Sequence, residues 1–148
     1  ELGGNYEVMH HAEYLQDLIE SNRIKLTDAS EFKGRRITYH DSCYLGRAND
    51  IYEAPRKVLE ALDAELVEMK SCRKNGLCCG AGGAQMFKED EPGSMRINTK
   101  RAEEALETKA EIVAAACPFC MTMMQDGVKS FEKEVKVFDL AELVLQQI

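Results

Sequence analysis

The sequence predicts an α/β fold, a mainly parallel β-sheet flanked by helices. Three observations lead there. Short β-branched or apolar runs alternate with longer stretches of helical periodicity, the pattern of a parallel sheet. Ile112-Val113-Ala114-Ala115-Ala116 is apolar without alternation, as a strand covered on both faces is. Cysteines follow directly on such strands, and parallel sheets gather ligands beyond their strands' carboxyl ends. With 148 residues, the chain has the length of one domain with a real core.

Taken in order, Tyr6 to Met9 reads as a short strand. The helix after it runs from Ala12, places Leu15, Leu18 and Ile19 on one face, and ends near Asn22. Residues 27–34 read as a polar linker. Arg36 to His40 is a second strand, β-branched and aromatic, which delivers Asp41, Ser42 and Cys43. Pro55 reads as the first residue of a helix with Val58, Leu59 and Leu62 on its apolar face. Glu65 to Met69 is a third strand, and a loop from Ser71 to Gly76 leads to Cys78. Ala84 to Phe87 opens a short helix.

Glu89 to Gly93 is an acidic loop with a Pro-Gly pair. Ser94 is read as the N-cap of a helix reaching Thr108. The strand Ile112 to Ala116 ends at Cys117, and Pro118 suits the first turn of a helix carrying Cys120, Met121, Met124 and Val128. Val135 to Phe138 is the last strand, and Leu140 to Ile148 the last helix.

The two ends of the chain echo each other. Residues 7–15 align without gaps on residues 136–144, with Ala12-Glu13 matching Ala141-Glu142. The expected organisation is therefore a duplicated parent. Residues 1–26 are the closing strand and helix of a preceding repeat, and residues 27–148 are a complete cysteine-rich domain. A start at Glu1 instead of Met agrees with a processed product or a fragment.

Composition excludes some classes. Hydrophobic residues are 45% and charged ones 30%, as in a soluble globular chain. The net charge of −7 and the lack of a basic patch argue against nucleic acid. No apolar run is long enough to span a membrane.

The chemistry lies in the cysteines. Cys78 and Cys79 are adjacent and lead into Gly80-Ala81-Gly82-Gly83. Cys43 stands upstream with 34 residues between, and Cys117 follows Cys79 with 37 between. Cys120 completes a C-x-x-C. Thiolates are the usual ligands of iron–sulfur clusters, and glycines let backbone approach closely and take positive φ. Cys43, Cys78, Cys79, Cys117 and Cys120 are thus expected to hold one iron–sulfur centre, with Gly80, Gly82 and Gly83 against it. Five thiols exceed the four of a cubane, and a vicinal pair suits a more open cluster with a bridging thiolate.

Other readings stay open at this point. Zinc needs four ligands and leaves a fifth cysteine idle. Three disulfides are disfavoured by the vicinal pair and by a chain that needs no staples. Cys-Pro-Phe-Cys alone fits a redox dithiol at a helix N-terminus, but no proline follows Pro118 to supply the later cis-proline of that fold. The glycine run is no dinucleotide loop, since Gln85 stands where the third glycine belongs.

Cys72 reads as a spare loop thiol. His40 is either a support for the Cys43 turn or an ordinary strand-end histidine. His10 and His11 are expected at the surface. Met121, Met123 and Met124 are expected in packing, and Arg47 and Lys74 as surface charge.

His40-Asp41-Ser42-Cys43, Cys78-Cys79-Gly80-Ala81-Gly82-Gly83 and Ala116-Cys117-Pro118-Phe119-Cys120 together resemble the cysteine-rich CCG domain of heterodisulfide reductases. The wider family includes iron–sulfur subunits of lactate, glycolate and glycerol-3-phosphate oxidation. The resemblance covers roughly residues 35–145. The downstream spacing is about a residue longer than the family's, a difference the acidic loop absorbs.

The resemblance implies a Rossmann-like fold and a non-cubane 4Fe-4S cluster on the five cysteines, or zinc in some copies. It implies an oxidoreductase that reduces a disulfide. The alternatives are an electron-transfer subunit linked to a flavoprotein, an organic acid or quinone, and a zinc domain that docks subunits. Expected partners are other oxidoreductase subunits. The expected location is the cytoplasm, with a membrane's inner face reached through segments or partners outside this sequence.

Overall fold

The computed structural model describes residues 3–27, 30–89 and 92–148. Four strands form one all-parallel sheet in the order β2-β1-β3-β4. They are β1 (Arg36–Tyr39), β2 (Glu65–Leu66), β3 (Ile112–Ala115) and β4 (Lys136–Asp139). The helices are α1 (His11–Glu20), α2 (Gly46–Asn49), α3 (Glu53–Ala61), α4 (Ile97–Glu107), α5 (Pro118–Lys129) and α6 (Leu140–Leu145). The fold is α/β with a parallel sheet, as expected. None of the described helices is long and apolar enough to cross a membrane.

β3 explains the layering. Its four residues are all buried, and alternate side chains meet different helices. Ile112 and Ala114 pack with Val58, Leu59, Leu140 and Leu143, so α3 and α6 cover that face, and Ala12 of α1 joins them. Val113 packs with Ala102 and Ala105 of α4 and with Met124 and Val128 of α5. A strand sandwiched in this way has no polar face to show, which is why the sequence there does not alternate. The α4–α5 contact is tight at Gly127, where an added Cβ would stand 2.6 Å from the Asn98 carbonyl oxygen.

The ends of the chain share a device. α1 begins with a capping box in which His10 accepts from the Ala12 N–H and Glu13 reaches back to the His10 N–H. α6 begins with the same arrangement, Asp139 to Ala141 and Glu142 to Asp139. These are the aligned positions of the sequence echo.

The strand half of the echo is not reproduced. Tyr6 to Met9 pairs with no strand among the described residues, and Tyr6 and Val8 are largely exposed. Extended backbone becomes a strand only against a partner, and β4 leaves its outer side open.

Smaller boundaries also moved. α3 starts at Glu53, so Pro55 is its third residue, still in the first turn where an N–H has no helical acceptor. The third strand pairs only over Glu65–Leu66 before the chain leaves the sheet. Arg36 to Tyr39 forms β1, one residue short of His40. Arg96, not Ser94, precedes α4, and α6 stops at Leu145. The helix expected from Ala84 is a run of tight turns over Gly82–Phe87, with Gly83 and Ala84 at positive φ. The stretch 27–34 is more than a polar linker, because Phe32 is buried in the core. Residues 28 and 29, and residues 90 and 91 of the acidic loop, lie outside the described residues.

Candidate metal centre

Three segments meet beyond the carboxyl edge of the sheet. β1 ends in His40, Asp41 and Ser42, all buried, and turns outward at Cys43, which is exposed. That turn is held by Arg56. Its guanidinium lies over the Tyr39 ring at 5.3 Å and grips both Asp41 oxygens at 2.8 and 3.0 Å. It also grips both Glu68 oxygens at 2.6 and 2.9 Å. Asp41 further accepts the Arg73 N–H at 2.7 Å. The network therefore ties the end of β1 to α3 and to the loop that leads into Cys78.

β3 leads through Ala116 to Cys117, the residue before α5, and Pro118 opens that helix as expected. The first turn then places Cys120 inside, 2% exposed. The double cysteine arrives on the loop between β2 and α4. Gly80 has φ +89°, and its N–H donates to the Cys78 sulfur at 3.4 Å. A side chain there would be strained and would press on Ile97, 3.2 Å from its Cβ.

Cys43, Cys78, Cys79, Cys117 and Cys120 all line one cavity of about 580 Å³. Gly82 and Gly83 form part of its wall with Tyr44, Phe87 and Phe119. Gly80 does not; it faces a separate cleft beside Ile97 and Asn98. Its part is to turn the chain.

The deep end of the cavity is the most organised. The Cys79 and Cys120 sulfurs are 3.4 Å apart, a hydrogen-bonding contact, and all six cysteines are free thiols. The Cys120 S–H holds the Cys79 thiol down to about 4 against burial, which pushes the other way; His40 and the Ala81 N–H add to the pull. Cys120 moves far up, because it is the donor to Cys79 and is buried. The contact thus favours the thiolate at Cys79 and the thiol at Cys120.

His40 is the residue that sequence reasoning underrated. It is 1% exposed and lies beside Cys79. Its ligand nitrogen and the Cys79 and Cys120 sulfurs lie within 4.8 Å of one another. Burial lowers its pKa. Behind it stands Arg101 of α4, 0% exposed, whose Nε donates to His40 Nδ1 at 3.0 Å. Nothing in the sequence distinguishes Arg101 from a surface arginine on a charged helix.

The remaining candidates fall elsewhere. Cys72 lines a different, acidic cleft of about 870 Å³ with Glu13, Asp17 and Arg73, and burial pushes its thiol up. His10 and His11 are half-buried instead of surface groups, with His11 3.4 Å from Asp139. Met123 and Met124 are buried packing residues, and Met121 packs beside the cysteines. Lys74 pairs with Asp50 at the surface, and Arg47 is exposed.

The family model of the CCG cysteine-rich domain matches residues 37–125, the span that holds all five cysteines. The chain belongs to the CCG cysteine-rich domain family. It is 42% identical over 151 residues to the "Probable iron-sulfur-binding oxidoreductase FadF" of Bacillus subtilis, covering 100% of this chain and 21% of that protein.

It is 42% identical over 152 residues to the "EtfAB:quinone oxidoreductase" of Syntrophomonas wolfei, covering 97% and 21%. Against a subunit of the dihydromethanophenazine:CoB--CoM heterodisulfide reductase of Methanosarcina acetivorans it is 36% identical over 145 residues, covering 97% and 34%. This CCG domain thus spans between a fifth and a third of the relatives' lengths.

The donors fit an iron–sulfur group. Five sulfurs face one cavity, and soft thiolates suit iron–sulfur clusters and zinc above other metals. Among the described residues no aspartate, glutamate or histidine lines that cavity to favour a harder ion.

Proposed function

We propose that this chain is the cluster-bearing domain of an iron–sulfur oxidoreductase and passes electrons singly between a protein donor and an acceptor. Cys43, Cys78, Cys79, Cys117 and Cys120 would hold a non-cubane 4Fe-4S cluster, with Gly82 and Gly83 against it. The observation that carries this reading is the single cavity shared by five thiols. The group supplies one-electron chemistry; the protein supplies ligand charge, hydrogen bonds to sulfur and burial, which set its potential.

The wall of the cavity favours electron passage. Among the described residues no Asp, Glu, Lys or Arg lines it, and exposed Tyr44, Phe87 and Phe119 are part of its wall. Aromatic rims suit a protein surface. An electron-transfer flavoprotein and quinone are the partners suggested by the Syntrophomonas relative.

Disulfide reduction is the second reading, favoured by the likeness to the heterodisulfide reductase of Methanosarcina. It consumes two electrons and two protons per disulfide and yields two thiols. Those protons would come from solvent. The whole protein's substrate, cytoplasmic location and other subunits belong to this proposal too, as does the duplicated parent, with residues 1–26 closing the preceding repeat.

The test is anaerobic reconstitution of the chain, with iron and sulfide analysis and EPR. About four irons and four sulfides per chain are expected for this cluster type. One zinc in place of iron overturns the reading in favour of a zinc domain. Thiol release from a heterodisulfide, under an electron supply, separates the second reading from the first.

A further inference from the structure

We propose that Arg101 locks His40 into its Nε2–H tautomer, so that His40 donates a hydrogen bond to the Cys79 sulfur and is a positioning residue, not a metal ligand. The inference rests on the reading of Cys79 as a cluster ligand and adds a group that adjusts it.

His40, Cys79 and Cys120 form a compact buried trio, and taken by distance alone they make a three-donor metal site. The hydrogen bonds exclude His40 from it. A guanidinium has five N–H donors and no acceptor. Arg101 Nε lies 3.0 Å from His40 Nδ1, so Nδ1 must present its lone pair there. A neutral imidazole carries one proton, which is then on Nε2. One ring nitrogen of His40 lies within 4.8 Å of the Cys79 sulfur, and with Nδ1 taken by Arg101 the Nε2–H is the donor available to it. For Nε2 to bind a metal, the proton would move to Nδ1 and meet the Arg101 N–H head-on.

The lock is rigid. Both side chains are buried, so water does not exchange the tautomers. Arg101 Nη1 is fixed by the Ser71 carbonyl at 2.7 Å and by Glu104 at 2.6 Å. Glu104 in turn accepts the Ser71 N–H at 2.5 Å. α4 and the loop after β2 thereby aim one guanidinium edge at the imidazole.

A hydrogen bond to a ligand sulfur stabilises the more electron-rich state, so it raises the reduction potential. This sets the sign of the test. A long-range ¹H–¹⁵N spectrum of the metal-free chain reads the tautomer without any cluster. Wild type should show the Nε2–H form alone, and Arg101→Met a mixture of both forms. A wild-type ring protonated on Nδ1, or an Arg101→Met ring still wholly Nε2–H, overturns the lock.

In iron-loaded chains, His40→Leu removes the donor, while His40→Gln offers an amide N–H near the same place. Both should keep wild-type iron, with the midpoint potential lowered in His40→Leu and restored towards wild type in His40→Gln. Iron lost from both variants while circular dichroism stays native makes His40 a ligand and overturns the proposal; so do unmoved potentials. A wild-type chain that takes up no iron brings down the cluster reading alone, and the spectrum still decides the tautomer.

Discussion

Two groups of sulfur face the same cavity but are held in different ways. Cys79 and Cys120 are buried, in contact at 3.4 Å, and packed with Ala115 and Met123. Cys43 is exposed, and Cys78 and Cys117 are half-buried. The first pair is set by the core: Cys120 stands on the first turn of α5, and Cys79 is pinned by Cys120, His40 and Ala81. The second group stands on turns at the rim. Half of the candidate site is thus packed into the core, and the other half stands on exposed or half-buried turns. The contact with Cys120 lowers the Cys79 thiol, so the deep pair would offer a metal a thiolate donor.

The largest effects should come from the proposed ligands. Cys79→Ser should abolish or alter iron uptake, and Cys43→Ser should do so as well. The two should differ without metal. Cys79→Ser removes the anchor of a buried hydrogen-bonded pair and should lower stability by about 1–3 kcal/mol. Cys43→Ser should stay within about 0.5 kcal/mol, as exposed substitutions do. Cys72→Ser should change neither iron nor stability much, since Cys72 opens to another cleft. Denaturant melts of the metal-free chains and iron assays of the loaded ones check this. Equal destabilisation by Cys43→Ser and Cys79→Ser would erase the distinction between the two halves.

Arg56→Met attacks the frame that both halves share. It strands Asp41 in a site where that carboxylate is 4% exposed. Removing one partner of a buried pair costs about 3–5 kcal/mol. A smaller loss in a urea melt would mean that Glu68 and Arg73 hold the β1 turn without it.

Gly127→Ala probes the deep half from behind. The new Cβ would meet the Asn98 carbonyl oxygen at 2.6 Å and Ala102 Cβ at 2.9 Å. Backbone cannot yield as a side-chain tip does, so α4 and α5 must part, at about 1–3 kcal/mol. α4 carries Arg101 and α5 carries Cys120, so the change should also loosen the buried pair. A thermal melt unchanged from wild type would show that the helices have slack.

The open half of the site was legible in the sequence, and so was the identity of its deep half. Cysteine spacing is local information: three short motifs, each after a strand, name Cys43, Cys78, Cys79, Cys117 and Cys120 without any tertiary knowledge. The sandwiched strand 112–116 was legible for the same reason, since burial on both faces writes itself into consecutive residues. What gives the deep half its character was not legible. His40 and Arg101 lie 61 residues apart and meet only when α4 packs on the sheet. Pairing is also a tertiary property, which is why Tyr6 to Met9 has strand-like residues and no strand, while Glu65–Leu66 pairs over two positions only. Gly80 read as part of the cluster wall because glycine next to cysteine signals close approach; its φ shows that the turn itself needed it.

The smallest effect is expected at β4, the strand end that bears no sulfur. Asp139 stands on the same sheet edge as Cys43 and Cys117, but it caps α6 and lies 3.4 Å from His11 Nε2. Burial pushes its pKa up, yet the hydrogen bonds from His11 and the Ala141 N–H outweigh that and hold it below the usual carboxylate value. A carboxyl with a lowered folded pKa gives stability that is full above its unfolded value, about 3.9, and is lost as pH falls through the folded one.

Asp139→Ala should therefore cost about 1 kcal/mol at neutral pH, the loss of a cap, and the gap to wild type should close below about pH 4. Asp139→Asn keeps a capping oxygen and should lose less at neutral pH while removing the pH dependence. Neither should change iron content. Urea melts at neutral and acid pH, with iron analysis, decide it. Iron lost from Asp139→Ala would mean that the site reaches across the sheet edge to β4, and that the division into a core-built half and a rim half leaves out a third contributor.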